Sequence, residues 1–296
     1  MKKFLTSNKL KFIACFSMLF DHIGKIIYLF FPNDTTYWVN YSFSIIGRIS
    51  FPIFLFLIIE GFYHTKDIKK YFLRLGAVGT LVAVGEIILS LIPQLALTDI
   101  IFKAGNIFVD LILTLLVFYL FNSPKTNTKM LTLLPLLYFI LCLLLQNGVI
   151  YIENDILKGI LSGLMSQYSF ITPLIIVLFI SIHYLYRKLL TSKYSEQELQ
   201  TINTELLFKN VRISSFIFTI TIVSLLMYLL TYFIKDATTL NTDLVINTYF
   251  IISVPFIYFY NGNKGSDNKI LQKAYYLFYP IHLVIIFLIT YLVSLI

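Results

Sequence analysis

The chain has 296 residues, of which 58% are hydrophobic and only 13% are charged, and its mean hydropathy is +0.83. This composition argues against a soluble globular domain and indicates a polytopic membrane protein. The formal net charge is +8, but the basic residues lie in loops between apolar runs, so they indicate membrane topology and not a nucleic-acid surface. Cys15 and Cys142 stand alone in apolar runs, so neither a disulfide nor a metal site is expected.

Apolar segments of membrane-spanning length follow one another along the chain. A helix needs roughly 20 mainly apolar residues to cross about 30 Å of hydrocarbon. About nine segments meet this requirement, so we expect about nine membrane-spanning helices, with a range of about eight to ten. They are 11–31, 41–62, 71–93, 105–121, 130–147, 169–190, 211–234, 244–260 and 274–296. The sequence predicts an all-α membrane helical bundle that forms a single domain over residues 1–296.

The first segment follows a basic start, as a signal peptide does, but its apolar run is interrupted by charged residues and lacks a small-residue cleavage site. We expect it to remain as the first span. Lysines and arginines precede this span and follow spans two, four, six and eight, whereas the opposite loops carry few. The positive-inside rule therefore predicts a cytoplasmic N-terminus, an external C-terminus and a multi-pass protein of the cytoplasmic membrane.

Two segments do not fit this simple alternation. Residues 155–168 are too polar and short for a clear span, and are interpreted as a re-entrant or interfacial segment. If they were counted as a further span, every later loop would lie on the opposite side of the membrane. Residues 191–210 form the longest polar segment and are predicted to be a cytoplasmic amphipathic helix.

The first span contains Asp21, His22 and Lys25, although a charge near the bilayer centre costs at least about 2.5–3.5 kcal/mol on insertion scales. Asp21 and Lys25 are four residues apart, so they can form an ion pair along one side of the helix. Lys11 and His22 are eleven residues apart, which at about 100° per residue puts them within about 20° of the same face.

A neutral imidazole at the position of His22 can act as a general base or a nucleophile. A carboxylate can support it, and the sequence leaves open whether that carboxylate is Asp21, Glu60, Glu86 or Asp110.

Span two contains Arg48, followed by Pro52, which we expect to kink the helix. A buried guanidinium beside such a kink indicates a cavity lined by protein. Glu60 and His64 lie four residues apart on one face near the cytoplasmic end, where they either line this cavity or form an interfacial pair.

Three further polar groups lie within predicted spans. Asn106 and Asp110 share one helical face, which favours either hydrogen bonding between helices or a place on the cavity wall. In the last span His282 follows a proline and lies near Tyr279, close to the cytoplasmic surface. His282 is therefore expected to line the same cavity as His22.

Four blocks of the sequence resemble the TraX family, which is named for a membrane protein that acetylates the N-terminus of conjugative pilin. They read "LKFIACFSMLFDHIGK", "IGRISFPIFLFLIIEGFYHTKDIKKYFLRL", "GNIFVDLILTLL" and "YNGNKGSDNKILQKAYYLFYPIHL". TraX proteins are similar to a wider group of integral-membrane acyltransferases. That group has a basic residue, ten intervening positions and a histidine in its first span, a pattern that Lys11 and His22 match.

The resemblance implies an enzyme that moves acetyl from cytoplasmic acetyl-CoA to an amine or hydroxyl of a membrane or surface-destined acceptor, such as pilin, another peptide or a glycan. His22 would be the general base or acyl carrier, with Asp21, Arg48 and His282 as further catalytic candidates. The phosphates of the co-substrate would meet basic residues of the cytoplasmic rim, namely Lys11, Lys70, Arg74, Lys264 and Lys273. Membrane lipid is an expected partner; nucleic acid and metal are not.

Two other functions fit the same residues. In a proton-coupled transporter or flippase, buried acids and His22 would form a proton relay, although no internal repeat is detectable in the sequence. A noncatalytic assembly factor for a pilus or conjugation apparatus is the third possibility.

Overall fold

The protein is helical throughout the part described by a computed structural model, which comprises residues 3–92, 95, 97–193, 204–233 and 245–295. Within these ranges there are two isolated bridging pairs and no strand. The prediction of an all-α bundle is confirmed. The helices are α1 Ser7–Phe30, α2 Asp34–Gly47, α3 Ser50–His64, α4 Ile68–Ser90, α5 Thr98–Ala104, α6 Ile107–Phe121, α7 Thr126–Met130, α8 Leu133–Gln146, α9 Asp155–Ser162, α10 Ile171–Lys193, α11 Thr204–Phe233, α12 Val245–Tyr258 and α13 Lys269–Ser294.

Within the described residues, every predicted apolar segment lies mostly in helix. Among the described residues, seven helical stretches are long and apolar enough to cross a membrane, and α2 with α3 counts as one of them. The shorter apolar helices α6 and α12 match predicted spans four and eight. The chain is therefore a membrane protein. How many helices cross, and on which side the chain begins, remain predictions.

The ambiguous segment 155–168 contains only the eight-residue helix α9, followed by turns. A helix of that length rises about 12 Å and cannot cross about 30 Å of hydrocarbon. Of the segment 191–210, residues 194–203 lie outside the described part. Its two ends belong to α10 and α11.

The chain divides into two compact units. The single domain over residues 1–296 stays a prediction. The first unit comprises Met1–Leu57 with Val177–Ile296, and the second comprises Ile58–Ile176. In the first unit α1 packs against α2 and α13, and α11 packs against α12. In the second unit α4 packs against α6 and α9, and α5 packs against α9.

Aromatic rings fill the core of the first unit. Phe216 of α11 lies with its ring centre 5.3 Å from that of Phe56 and 5.9 Å from that of Phe179. Phe51 and Phe250 approach to 5.8 Å. Such pairs add to the burial of apolar area, and in a bilayer, where lipid is as apolar as the core, close packing supplies the helix association.

The beginning of α1 is tied to the turn that precedes α13. The amides of Ser7 and Asn8 donate to the carbonyls of Asn263 and Lys264, at 2.9 and 3.1 Å. These bonds satisfy helix-start N–H groups that have no partner inside the helix. Gly265 makes the turn possible, because its φ of 93° is left-handed backbone that disfavours other residues.

In the second unit the carboxylate of Asp110 holds the segment that leads into α10. It accepts hydrogen bonds from the hydroxyls of Ser166 and Thr172 at 2.8 and 2.5 Å, and from the amides of Gln167 and Tyr168 at 2.8 and 3.2 Å. Asp110 thus caps the start of α10 from another helix. This explains how an irregular segment after α9 can be buried.

We expect Asp110→Ala to destabilise the protein strongly. The change leaves several buried donors without an acceptor, and each costs about 1–3 kcal/mol, so the free energy of unfolding should fall by more than about 3 kcal/mol. Thermal unfolding in detergent measures this. Asp155→Ala is the control, because the Asp155 side chain is 80% exposed and its change should stay within about 0.5 kcal/mol. Equal melting of the two variants would contradict the anchoring role.

Candidate functional site

Two histidines from opposite ends of the sequence meet inside the first unit. Nδ1 of His22 on α1 lies 2.7 Å from Nε2 of His282 on α13, a hydrogen-bond distance. The rings are nearly parallel, with centres 4.9 Å apart. The two histidines that were expected to line one cavity are therefore in direct contact, and the cavity itself stays a prediction.

The second histidine is held by its own helix. Nδ1 of His282 lies 2.6 Å from the carbonyl oxygen of Phe278, one helical turn earlier, and the two rings stack at 4.6 Å. Tyr279 stands edge-on to both imidazoles, at 5.9 Å from His22 and 5.7 Å from His282. His282 is only 5% exposed, so its ring position is set by these contacts.

Asp21, the residue before His22, is the centre of a buried ion cluster. Its carboxylate lies 2.6 Å from the amine of Lys25 and 3.3 Å from the guanidinium of Arg48. Arg48 also donates to the side chain of Asn247 at 2.9 Å and to the carbonyl of Ser44 at 3.3 Å. The cluster joins α1, α2 and α12, and it contains the ion pair predicted between Asp21 and Lys25.

Arg48 occupies the break between α2 and α3. The helix is interrupted at residues 48 and 49, four positions before Pro52, where proline leaves a carbonyl without its helical donor. The kink predicted from Pro52 is present. Arg48 is 7% exposed and Asp21 is 6% exposed, so each charge depends on the other for its stability at membrane depth.

Two glycines allow α1 and α2 to approach closely enough for the ion cluster. A Cβ atom at Gly47 would overlap the Cβ of Asp21 and lie 2.8 Å from its Cγ, and one at Gly24 would lie 3.0 Å from the Cα of Asn40. Small residues at such crossings are typical of membrane helices. The distance between Asp21 and Arg48 therefore depends on Gly47.

We expect Gly47→Ala to push α1 away from α2 and to lower the free energy of unfolding by about 1–3 kcal/mol, as overpacking does. Gly76→Ala is a matched control, because a Cβ at Gly76 meets nothing within 4 Å. Alanine there should be neutral or stabilising by up to about 1 kcal/mol. Thermal unfolding of both variants in detergent provides the comparison, and an unchanged melting point for Gly47→Ala would contradict the close crossing.

The predicted co-substrate residues of the first unit lie near the start of α1 and of α13. Lys11 is partly buried on α1, and Lys273 is exposed on α13. The amine of Lys264 lies 2.9 Å from the carboxylate of Asp267, in an exposed pair. Lys11 and Lys273 carry positive charge on the helices that supply His22 and His282, and Lys264 lies in the turn before α13.

The remaining predicted residues belong to the second unit. Lys70 pairs with Asp67 at 3.2 Å, and Arg74 donates to the carbonyl of Lys70 at 3.2 Å; both are exposed. His64 lies 2.8 Å from the carbonyl of Glu60, which is itself buried.

Asn106, predicted with Asp110 to line a cavity, donates to the carbonyls of Gly79 and Gly163, each at 3.2 Å. Asn106 and Asp110 thus bond to neighbouring helices and to the irregular segment after α9, and a place for them on a cavity wall stays a prediction.

Sequence reasoning missed Lys3, Lys209 and Asn247. The amine of Lys3 lies 3.3 Å from the side-chain oxygen of Asn210, and that of Lys209 lies 3.1 Å from the carbonyl of Asn261. Burial and the neighbouring charge of Lys209 lower the pKa of the Lys3 amine. Both lysines lie in basic stretches that the sequence explains by topology alone, so only the three-dimensional contact distinguishes them.

Comparison with known proteins identifies the family. Residues 6–290 match the family model described as "TraX protein". The chain belongs to the TraX family. It is also 29% identical over 133 residues to "Probable fimbrial assembly protein FimC, serogroup H1" of Dichelobacter nodosus, a match that covers 44% of this chain and 52% of the relative. The matched part is thus about half of that relative's length. No solved structure matches this TraX-family chain significantly.

Proposed function

We propose that this TraX-family protein is a membrane-bound acyltransferase that uses His22 as its general base. The observation that carries the proposal is the imidazole pair at 2.7 Å beside a buried ion cluster. Asp21 is occupied by Lys25 and Arg48, so His22 is left to act as a neutral imidazole. A neutral imidazole is the side chain best suited to remove a proton at neutral pH.

The chemistry is attack of an acceptor amine or hydroxyl on the carbonyl carbon of an acyl thioester, most simply acetyl-CoA. His22 takes the proton from the acceptor as the new bond to carbon forms. The carbon–sulfur bond then breaks, and the proton passes to the departing sulfur, so coenzyme A leaves as the thiol. Alternatively, His22 itself carries the acyl group between the two substrates.

Arg48 remains our candidate for stabilising negative charge that develops on the thioester oxygen. Its hydrogen bonds to Asp21, Asn247 and Ser44 fix the guanidinium in one orientation, as a preorganised donor requires. The same bonds also give Arg48 a structural role. Substitution of Arg48 alone therefore cannot separate the two roles.

The donor phosphates would be held by the basic residues at the start of α1 and α13, on the side that the loop charges assign to the cytoplasm. Lys3 and Lys209 join Lys11, Lys264 and Lys273 in this proposal, because the amine of Lys209 donates to the turn that precedes α13 and the amine of Lys3 donates to Asn210, the residue after Lys209. For Lys70 and Arg74, which belong to the second unit, a role in binding the co-substrate stays a prediction. Phosphate recognition of this kind relies on charge-assisted hydrogen bonds.

A pilin-like polypeptide is the acceptor class that the relative favours, because that relative is named as a fimbrial assembly protein. The cytoplasmic membrane is the proposed location. The chemistry at His22 is the same for an amine or a hydroxyl, so the acceptor is chosen by contacts away from the imidazole.

We expect His22→Ala to lower acyl transfer by about 10²–10⁴-fold, the usual contribution of a general base. The membranes come from native cells in which the gene for this chain has been replaced by the variant gene. Transfer is measured as the label that passes from radioactive acetyl-CoA to material in these membranes. His183→Gln is the control histidine variant and should transfer normally, because His183 lies on α10, where its ring stacks on Phe179 at 5.4 Å, and not on the helices of the histidine pair. Normal transfer by a folded His22→Ala variant would exclude the proposed mechanism.

We expect the double change Lys3→Gln and Lys209→Gln to weaken binding of coenzyme A by roughly thirtyfold at low salt, since each of the two lost charge contacts is worth about 1 kcal/mol. Binding to purified protein can be measured by calorimetry. Lys158→Gln is the control, because Lys158 already pairs with Asp99 at 3.1 Å. Equal affinity of the double variant and the parent would remove these two lysines from the donor site.

A noncatalytic role in fimbrial assembly is the second candidate, and the name of the relative is what favours it. This role makes a different demand on His22. A scaffold should still support assembly after His22→Ala, whereas an acyltransferase whose product is required should not.

A further inference from the structure

The hydrogen bonds around the two histidines fix where their hydrogens lie. The carbonyl oxygen of Phe278 can only accept, so Nδ1 of His282, at 2.6 Å, carries the hydrogen. In a neutral imidazole the other nitrogen then has a lone pair. Nε2 of His282 is therefore an acceptor.

The same reasoning assigns His22. Its Nδ1 lies 2.7 Å from the acceptor Nε2 of His282, so Nδ1 of His22 is the donor. The opposite arrangement would require a doubly protonated His282, a cation that is buried and bonded to a carbonyl and a histidine. The nearby carboxylate of Asp21 does not supply a counter-charge, because it is already bound by Lys25 and Arg48.

We propose that His282 is a positioning residue that holds His22 in the Nδ1–H tautomer, so that Nε2 of His22 is the nitrogen that accepts the substrate proton. Within the described part of the chain, Nε2 of His22 makes no hydrogen bond. The relay runs from the carbonyl of Phe278 through His282 to His22. In it, a neutral imidazole takes the place that a carboxylate has in many catalytic triads.

The relay also stabilises the product of proton transfer. When Nε2 of His22 takes the proton from the acceptor, His22 becomes an imidazolium and its Nδ1–H bond to His282 becomes charge-assisted. Successive hydrogen bonds in a chain polarise one another. The bond from Nδ1 of His282 to the carbonyl of Phe278 therefore makes Nε2 of His282 a stronger acceptor. When His22 returns the proton to the departing thiolate, the relay regains its neutral state without loss or gain of hydrogen.

The neighbouring rings keep His282 in place for this task. The ring of Phe278 stacks on His282, and Tyr279 stands edge-on to it. These contacts hold the imidazole plane toward His22, and this orientation is what a positioning residue must maintain.

The inference about catalysis rests on the proposed function, but the tautomer can be measured without any activity. The chain has four histidines, so ¹⁵N-histidine NMR of the protein in nanodiscs gives few signals. A ring nitrogen that bears hydrogen and one that bears a lone pair have well-separated shifts. The His22 signals are identified by their loss in His22→Ala, and His183→Gln serves as the unrelated control.

In the parent protein we expect His22 to be protonated at Nδ1 and not at Nε2. His282→Gln keeps an acceptor oxygen in reach of His22 and should preserve this tautomer, whereas His282→Leu removes the acceptor and should abolish the preference. If His282→Leu does not fold, the parent and the glutamine variant decide the question. A parent His22 protonated at Nε2, or an unchanged tautomer in folded His282→Leu, overturns the proposal.

Transfer kinetics provide the second readout. We expect kcat to fall by about 10–100-fold in His282→Leu and by less than about fivefold in His282→Gln, with the KM for acetyl-CoA unchanged in both. Equal loss in the two variants would contradict positioning through an acceptor. If the parent shows the expected tautomer but no transfer from any acyl-CoA, the proposed function fails while the tautomer assignment stands.

Discussion

The buried attraction between Asp21 and Arg48 determines how the first helix is turned about its axis. Because Asp21 faces α2 and successive residues of a helix diverge by about 100°, His22 faces a different neighbour, α13. Gly47 permits the approach, and Lys25 and Asn247 complete the hydrogen bonds of the two charges. The contact between His22 and His282 is therefore a consequence of an ion pair that contains neither histidine.

The same physical requirement explains the polar groups of the second unit. A carboxylate removed from water needs several donors, and Asp110 has four, all from the segment before α10 or its first turn. A carboxylate held in this way serves as an anchor and is poorly suited to a proton relay that must change partners. This favours the acyltransferase over the proton-coupled transporter.

The sequence predicted the helical segments well, because runs of apolar residues are a strong signal and charges within them are conspicuous. The Asp21–Lys25 pair was predictable because helix geometry brings residues four apart together, and Pro52 indicated the break at Arg48. The sequence placed His22 and His282 in one cavity, but it did not predict the hydrogen bond between them, since the two residues are 260 positions apart. For the same reason the sequence pointed to carboxylates as candidate partners, although the partner is a second imidazole.

For the site residues outside the histidine pair as well, the sequence predicted local patterns but not long-range contacts. Asp110 lies in the first turn of α6 and Asn106 is the extended residue that caps this helix, so the predicted shared helical face is wrong for Asn106. The segment that binds both has no apolar periodicity from which its contacts could be read. Lys3 and Lys209 carry no local pattern at all, and only the fold brings the amine of Lys3 to Asn210, the residue after Lys209.

Acyl transfer is tested most directly by supplying purified protein in proteoliposomes with radioactive acetyl-CoA and the membrane fraction that contains the acceptor. The account predicts that label becomes covalently bound to an acceptor or to His22, with release of coenzyme A as the free thiol. No covalent label, together with accumulation of a solute inside the proteoliposomes without any acyl-CoA, would contradict the account and favour a transporter.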